Sequence, residues 1–108
     1  MNVFSCAGRV IKAFEPFQVN DNGTTAVRFT VVAENGQMSK EGKKMVDFIP
    51  CLVFNPEDEM IELLSREKLG FIVELKGKVS TTQFMVNGKK QYRGEVIVFK
   101  NSFHVLKD

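Results

Sequence analysis

An all-β fold with one short helix is the architecture this sequence predicts, on three observations. Apolar and polar residues alternate with a period of two through several segments, as they do along strands buried on one side. Asn-Gly pairs at 22–23 and 87–88 mark tight reversals between such segments. Only the stretch after Asn55 carries helical spacing. With 108 residues, 44% of them hydrophobic and 26% charged, the chain can fill one core, which excludes disorder and a membrane-embedded protein. A single domain over residues 1–108 is expected.

Asn2 to Lys12 reads as a strand rich in Val, Phe and Ile, with Gly8 as a bulge or a barrel corner. Phe14 to Gly23 reads as a loop ending in a tight turn, and Thr25 to Glu34 as a strand with Val27, Phe29, Val31 and Ala33 on one side. Asn35 to Lys44, with two Gly and three Lys, reads as an exposed mobile loop. Met45 to Phe54 is a strand with Ile49, Cys51 and Val53 on one face and Phe48, Leu52 and Phe54 on the other. A helix follows, capped by Asn55, with Pro56 at its first position, acids in its first turn, a stripe of Met60, Ile61, Leu63 and Leu64, and a stop at Lys68 to Gly70. Phe71 to Ser80 alternates again, with Phe71, Val73, Leu75 and Val79 inward. Thr81 to Val86 and Lys89 to Phe99 flank the Asn87-Gly88 turn, and Ser102 to Leu106 forms a last short strand.

This order, with the helix between the third and fourth strands, is that of the OB-fold, a five-stranded, partly open Greek-key barrel. In that fold the exposed face of strands 2 and 3, with the loops joining strands 1 to 2 and 4 to 5, binds oligonucleotides or oligosaccharides. Phe48 and Phe54 share a face because side chains alternate, and the other face already supplies the core. Phe84 repeats the anomaly: counting by twos from Lys76 and Lys78 places it outward, opposite Gln91 and diagonal to Lys89 and Arg93. An aromatic ring stacks on any base, and a neighbouring cation binds the phosphate beside it.

The net charge of +2 looks too small for a polyanion partner. Residues 55 to 67, however, hold Glu57, Asp58, Glu59, Glu62 and Glu67 against Arg66, a local −4 that leaves +6 on the rest of the chain. Lys76, Lys78, Lys89, Lys90 and Arg93 follow with no acid among residues 76–93. Together with Lys40, Lys43 and Lys44 in the long loop and Arg9, Lys12 and Arg28 near it, they predict a cationic groove. Ten Phe, one Tyr and no Trp mean that phenylalanine takes every stacking role in it.

The sequence resembles the bacterial and phage single-stranded DNA-binding proteins. The resemblance runs through Asn2-Val3, Gly8-Arg9-Val10, Ala26-Val27-Arg28-Phe29-Thr30-Val31, Asp47-Phe48-Ile49-Pro50-Cys51-Leu52-Val53-Phe54, Leu75-Lys76-Gly77-Lys78-Val79, Phe84 and Tyr92-Arg93-Gly94-Glu95-Val96. It implies base stacking on Phe48, Phe54 and Phe84, sequence-tolerant coating of single strands in replication, recombination and repair, and a homotetramer, with a dimer as the alternative. A further family aromatic falls near Gln37 or Met38, where this chain has none. Chromosomal members carry a linker and an acidic tip ending in Pro-Phe, whereas this sequence stops at Asp108. It therefore reads as truncated, as a phage, plasmid or mobile-element type, or as part of a primosome-like assembly meeting a replication helicase, primase or polymerase. The alternative is an OB-fold accessory subunit that docks such enzymes, and an RNA-binding domain would carry the same rings and charges.

Catalysis finds no support. His104 is the only histidine, and no Ser, His and Asp set can be assembled around it. The acids at 57–62 suit a helix's first turn, Lys40 to Lys44 lacks the glycine spacing of a phosphate loop, and Cys6 and Cys51 lack the paired spacing of a zinc site. No metal and no cofactor are expected. Without a basic and apolar leader the two cysteines read as reduced thiols in the cytoplasm.

Overall fold

The computed structural model describes residues 2–108. Seven strands and one α-helix follow one another: β1 Phe4–Ala13, β2 Phe17–Gln18, β3 Thr25–Met38, β4 Lys44–Phe54, α1 Asp58–Leu64, β5 Ile72–Val86, β6 Lys89–Val98 and β7 His104–Lys107, with a 3-10 turn Lys100–Ser102 before β7. The long strands pair in the order β1-β3-β4-β6-β5, and β5 returns to β1, so the ring of pairings closes. Closure removes the exposed sheet edges that an open sheet would leave.

The strand count departs from five through β2, which the sequence does not predict, and through β7, which is the short last strand expected at Ser102 to Leu106. The predicted loop after Phe14 contains β2, which pairs Phe17 with Ala26 and Gln18 with Thr25. The Asn20 side chain accepts the Asn22 N–H at 3.0 Å and tightens the reversal enough for that pairing to form. As a result the helix lies between β4 and β5 rather than between the third and fourth strands. The last strand, β7, runs along β5 beyond β6, with Glu74 opposite His104.

Helix α1 also starts later than predicted. Asn55 takes a left-handed conformation, φ 48, donates its N–H to the Thr25 carbonyl at 2.7 Å and accepts the Thr25 N–H on Oδ1 at 3.2 Å. Its amide ties the end of β4 to the start of β3, leaving Glu57 at the N-cap without a side-chain hydrogen bond. The helix ends at Leu64, short of Lys68, where the Ser65 hydroxyl donates to the Ile61 carbonyl at 2.7 Å. Asp58 and Glu59 occupy its first turn, and Met60 and Leu64 are buried in the core.

Inside the ring, Val10, Val27, Phe29, Val31, Cys51, Val53, Phe71, Val73, Leu75, Val96 and Val98 form the core. Phe103 meets Phe29 edge-on at 5.8 Å. Gly8 is the barrel corner. Arg9 beside it pairs with both Val32 of β3 and Ile72 of β5, and a Cβ at Gly8 would collide with the Val32 carbonyl and lie 2.6 Å from Val31 Cγ1. Val79, expected inward, is exposed, because β5 leaves the core there; Asn2 brackets its backbone by accepting its N–H at 2.7 Å and donating to its carbonyl at 3.0 Å.

Cys51 is buried and Cys6 half-buried, and both are free. Burial pushes the Cys51 thiol up to about 12, assisted by the neighbouring Cys6 and Glu95, and burial raises Cys6 as well. A thiol attacks as its thiolate. Iodoacetamide at mildly alkaline pH is therefore expected to leave Cys51 of the folded protein unmodified and to label both cysteines once guanidinium unfolds it. Rapid labelling of Cys51 in the native state would contradict its burial.

Candidate nucleic-acid interface

The site is set by where two strands stop pairing. β4 and β6 run parallel and share only Cys51 with Val96 and Leu52 with Ile97. Before those residues, the hairpin β3–β4 and the hairpin β5–β6 extend to the same side of the barrel as two ribbons. The β3–β4 ribbon replaces the predicted mobile loop: β3 runs to Met38, β4 begins at Lys44, and the turn between them is held by the Ser39 N–H donating to the Lys43 carbonyl at 2.7 Å. The β5–β6 ribbon pairs without interruption up to Val86 opposite Lys89. Its turn residues have φ 52 at Asn87 and φ 79 at Gly88, the pair of positive values that a type I′ turn needs.

Directly paired residues on neighbouring strands share a face. On the outside of the barrel Arg9 pairs with Val32 and Val32 with Phe48, so one row carries a cation and an aromatic ring on either side of Val32. The next row holds Lys12, Thr30 and Pro50. Arg9 and Lys12 both point outward, although they lie three positions apart, because the register slips between Val10 and Lys12. A third row runs Arg28, Leu52, Ile97 and Lys78, and a fourth runs Phe17, Ala26 and Phe54. On the far ribbon Phe84 lies opposite Gln91, with Thr82–Arg93 on one side and Val86–Lys89 on the other. Phe48 is 67% exposed and Phe84 41%, large values for phenylalanine, whereas Phe54 at 38% shares the cover of the fully buried Ala26 with Phe17.

The cations differ in freedom. The Arg28 guanidinium lies 5.0 Å above the Phe17 ring, and its Nε is 3.4 Å from Glu95 Oε2. Arg9 donates to the Gly70 carbonyl, and Lys12 sits 4.8 Å above the Phe14 ring. Lys44 pairs with Glu34 at 3.5 Å, and Lys43 stands in the ribbon's turn. Lys78, Lys89 and Arg93 share the Phe84 face, while Lys90 falls on the reverse of that ribbon, opposite Met85. Lys76 shares the outward parity of Lys78 but stands apart from the rings, opposite Ser5 of β1, where it lines a cleft with Ser5, Glu74, Ser102 and His104. Sequence reasoning missed Phe17, Glu95 and Tyr92. Glu95 was open to parity, two residues from Arg93; nothing local marked Phe17 as part of a strand.

The acidic segment pairs elsewhere, with Glu57 3.5 Å from Lys100 and Arg66 held bidentately by Asp108 at 2.9 Å. Among the described residues no group of three or more His, Cys, Asp or Glu is placed to hold a metal.

A model of the single-strand binding protein family matches residues 1–104. The chain belongs to that family. Membership makes it a single-stranded DNA-binding protein and not an enzyme. A solved structure, the Plasmodium falciparum SSB in complex with ssDNA, aligns with a TM-score of 0.69 over 99% of this chain and 94% of that one, at 17% identity, which fixes the fold. No curated protein matches the chain. Among the described residues no helix is long and apolar enough to cross a membrane.

Proposed function

We propose that this SSB-family chain, as one domain over residues 1–108, binds single-stranded DNA without reading its sequence, along a track across the outer face of β3 and β4 and onto the β5–β6 ribbon. The observation that carries the reading is that exposed rings and outward cations share rows: Arg9 with Phe48, and Phe84 framed by Lys89 and Arg93. Phe48, Phe54 and Phe84 stack on bases; Arg9, Lys12, Arg28, Lys78, Lys89 and Arg93 contact phosphates, and Lys43 and Lys44 receive the strand at the other ribbon's turn. Lys76 lies off this track. Glu95 already neutralises part of Arg28, so that residue's main service is as a flat plate on Phe17 beside the Phe54 ring.

The proposal includes a cytoplasmic homotetramer, with a dimer as the alternative, acting in replication, recombination and repair of a phage, plasmid or other mobile element. Competition among poly-dT, poly-U and duplex DNA at a stated salt, read beside mass from light scattering, tests it. Preference for poly-dT supports the reading, whereas micromolar or absent binding by a folded oligomer favours a docking subunit of a replication assembly. Replacing Lys89 and Arg93 together by Gln is expected to lower the slope of log affinity against log salt by about 1.4, at roughly 0.7 per phosphate contact on single strands. An unchanged slope removes the Phe84 face from the interface.

A further inference from the structure

The β5–β6 ribbon has a second face that the track above leaves unused. Beyond the barrel, residues from Thr81 to Gly94 are exposed on both sides of the ribbon. On the Phe84 side the last two rungs are Phe84 opposite Gln91 and Val86 opposite Lys89. On the reverse side they are Tyr92 opposite Gln83 and Met85 opposite Lys90. Each face therefore carries the same pair of rungs, a ring across from a glutamine and an aliphatic side chain across from a lysine. The ring comes from β5 on one face and from β6 on the other.

This duplication is not what a core extension would show. The reverse face is continuous with the barrel interior, where Val96 and Val98 are buried, yet past the core it changes to Gln83, Lys90 and Tyr92. Tyr92 is 68% exposed, more than Phe84 or Phe48. Gly94, on the same face, adds no side chain beside it, and a Cβ there would make only ordinary contact, 3.8 Å from Thr81 Cγ2. One flank of the tyrosine ring is thus open to a flat partner. No acid lies among residues 76–93, so both faces present positive charge alone.

We infer that the ribbon is a two-sided platform: a single strand that stacks on Phe84 passes round the Asn87-Gly88 tip and stacks again on Tyr92, with Lys90 meeting its phosphates. The inference rests on the DNA-binding reading above. Its occupant is a second segment of the same strand, since the reverse face repeats the ring, amide and cation of the first, and stacking tolerates any base.

Anisotropy of labelled oligo-dT at fixed low salt tests it, with one oligonucleotide short enough to cover only one face and one long enough to turn the tip. Tyr92→Ala is expected to weaken the long oligonucleotide by on the order of tenfold, to leave the short one within about twofold of wild type, and to be rescued by Tyr92→Phe. Lys90→Gln is expected to lower the salt slope for the long oligonucleotide only, by roughly 0.7. Phe84→Ala weakens both lengths. Wild-type affinity of Tyr92→Ala for the long oligonucleotide overturns the inference, whether or not light scattering shows an altered oligomer. Failure of the wild type to bind either length would instead overturn the DNA reading itself. Because Tyr92 is exposed, the variants are expected to melt with the wild type.

Discussion

Replacing Phe48 and Phe84 together by alanine is expected to weaken oligo-dT binding by about 2–6 kcal/mol, at about 1–3 kcal/mol per stacked base, while the melting temperature barely moves. The two rings stand on different ribbons and face different residues, Val32 and Gln91, so their losses are expected to add. The selectivity of the effect follows from burial. Phe48 is 67% exposed and Phe84 lies on a ribbon open on both faces, so alanine at either leaves no cavity. Phe54 supplies the contrast. It sits beside Phe17 over the fully buried Ala26, so Phe54→Ala uncovers apolar surface and is expected to reduce both affinity and stability. Fluorimetric melting and filter binding of the same preparations separate the two cases. A double variant that melts early but binds normally would show the rings to be packing groups.

Much of this face was legible because strand geometry is a parity rule. Val27, Phe29 and Val31 against Ile49, Cys51 and Val53 leave Phe48 and Phe54 outside, and the Asn-Gly turn fixes Phe84 opposite Gln91; the register has both. Parity also marks its own limits. Arg9 and Lys12 differ in parity and would be read onto opposite faces, but the slip beyond Val10 turns both outward. A bulge answers to packing at the barrel corner, where Gly8 lets β1 close on β3; the glycine announces a bulge or a corner, but nothing within the strand's own composition says that the slip falls between Val10 and Lys12. Lys89 and Lys90 look like one basic patch in sequence and lie on two faces of a ribbon. Asn55-Pro56 reads as a helix start, yet the asparagine serves Thr25, thirty positions earlier in the chain. Long-range hydrogen bonds of that kind override local signals, and the resulting shift of α1 leaves the site untouched because the helix packs against the core.

Gly8→Val is expected to destabilise the protein by about 3 kcal/mol or more, at the upper end of what overpacking causes, and to lower the melting temperature by roughly 10–20 °C. The obstacle is backbone: a Cβ at this position collides with the Val32 carbonyl, and a strand edge cannot rotate away as a side chain can. Moving β1 off β3 would open the ring of pairings at the corner where Arg9 joins β3 to β5. It would also break the row that places Arg9 beside Val32 and Phe48, so the folded fraction of Gly8→Val is expected to bind oligo-dT more weakly with Phe48 itself unchanged. Gly36→Ala is the control. Its φ of 81 imposes a backbone penalty of about 1 kcal/mol, but a Cβ there meets nothing, and the Arg9 row lies elsewhere on the sheet. A Gly8→Val protein that melts within a few degrees of wild type would mean that β1 does not approach β3 this closely, and the alignment of cation and ring on the outer face would need another support.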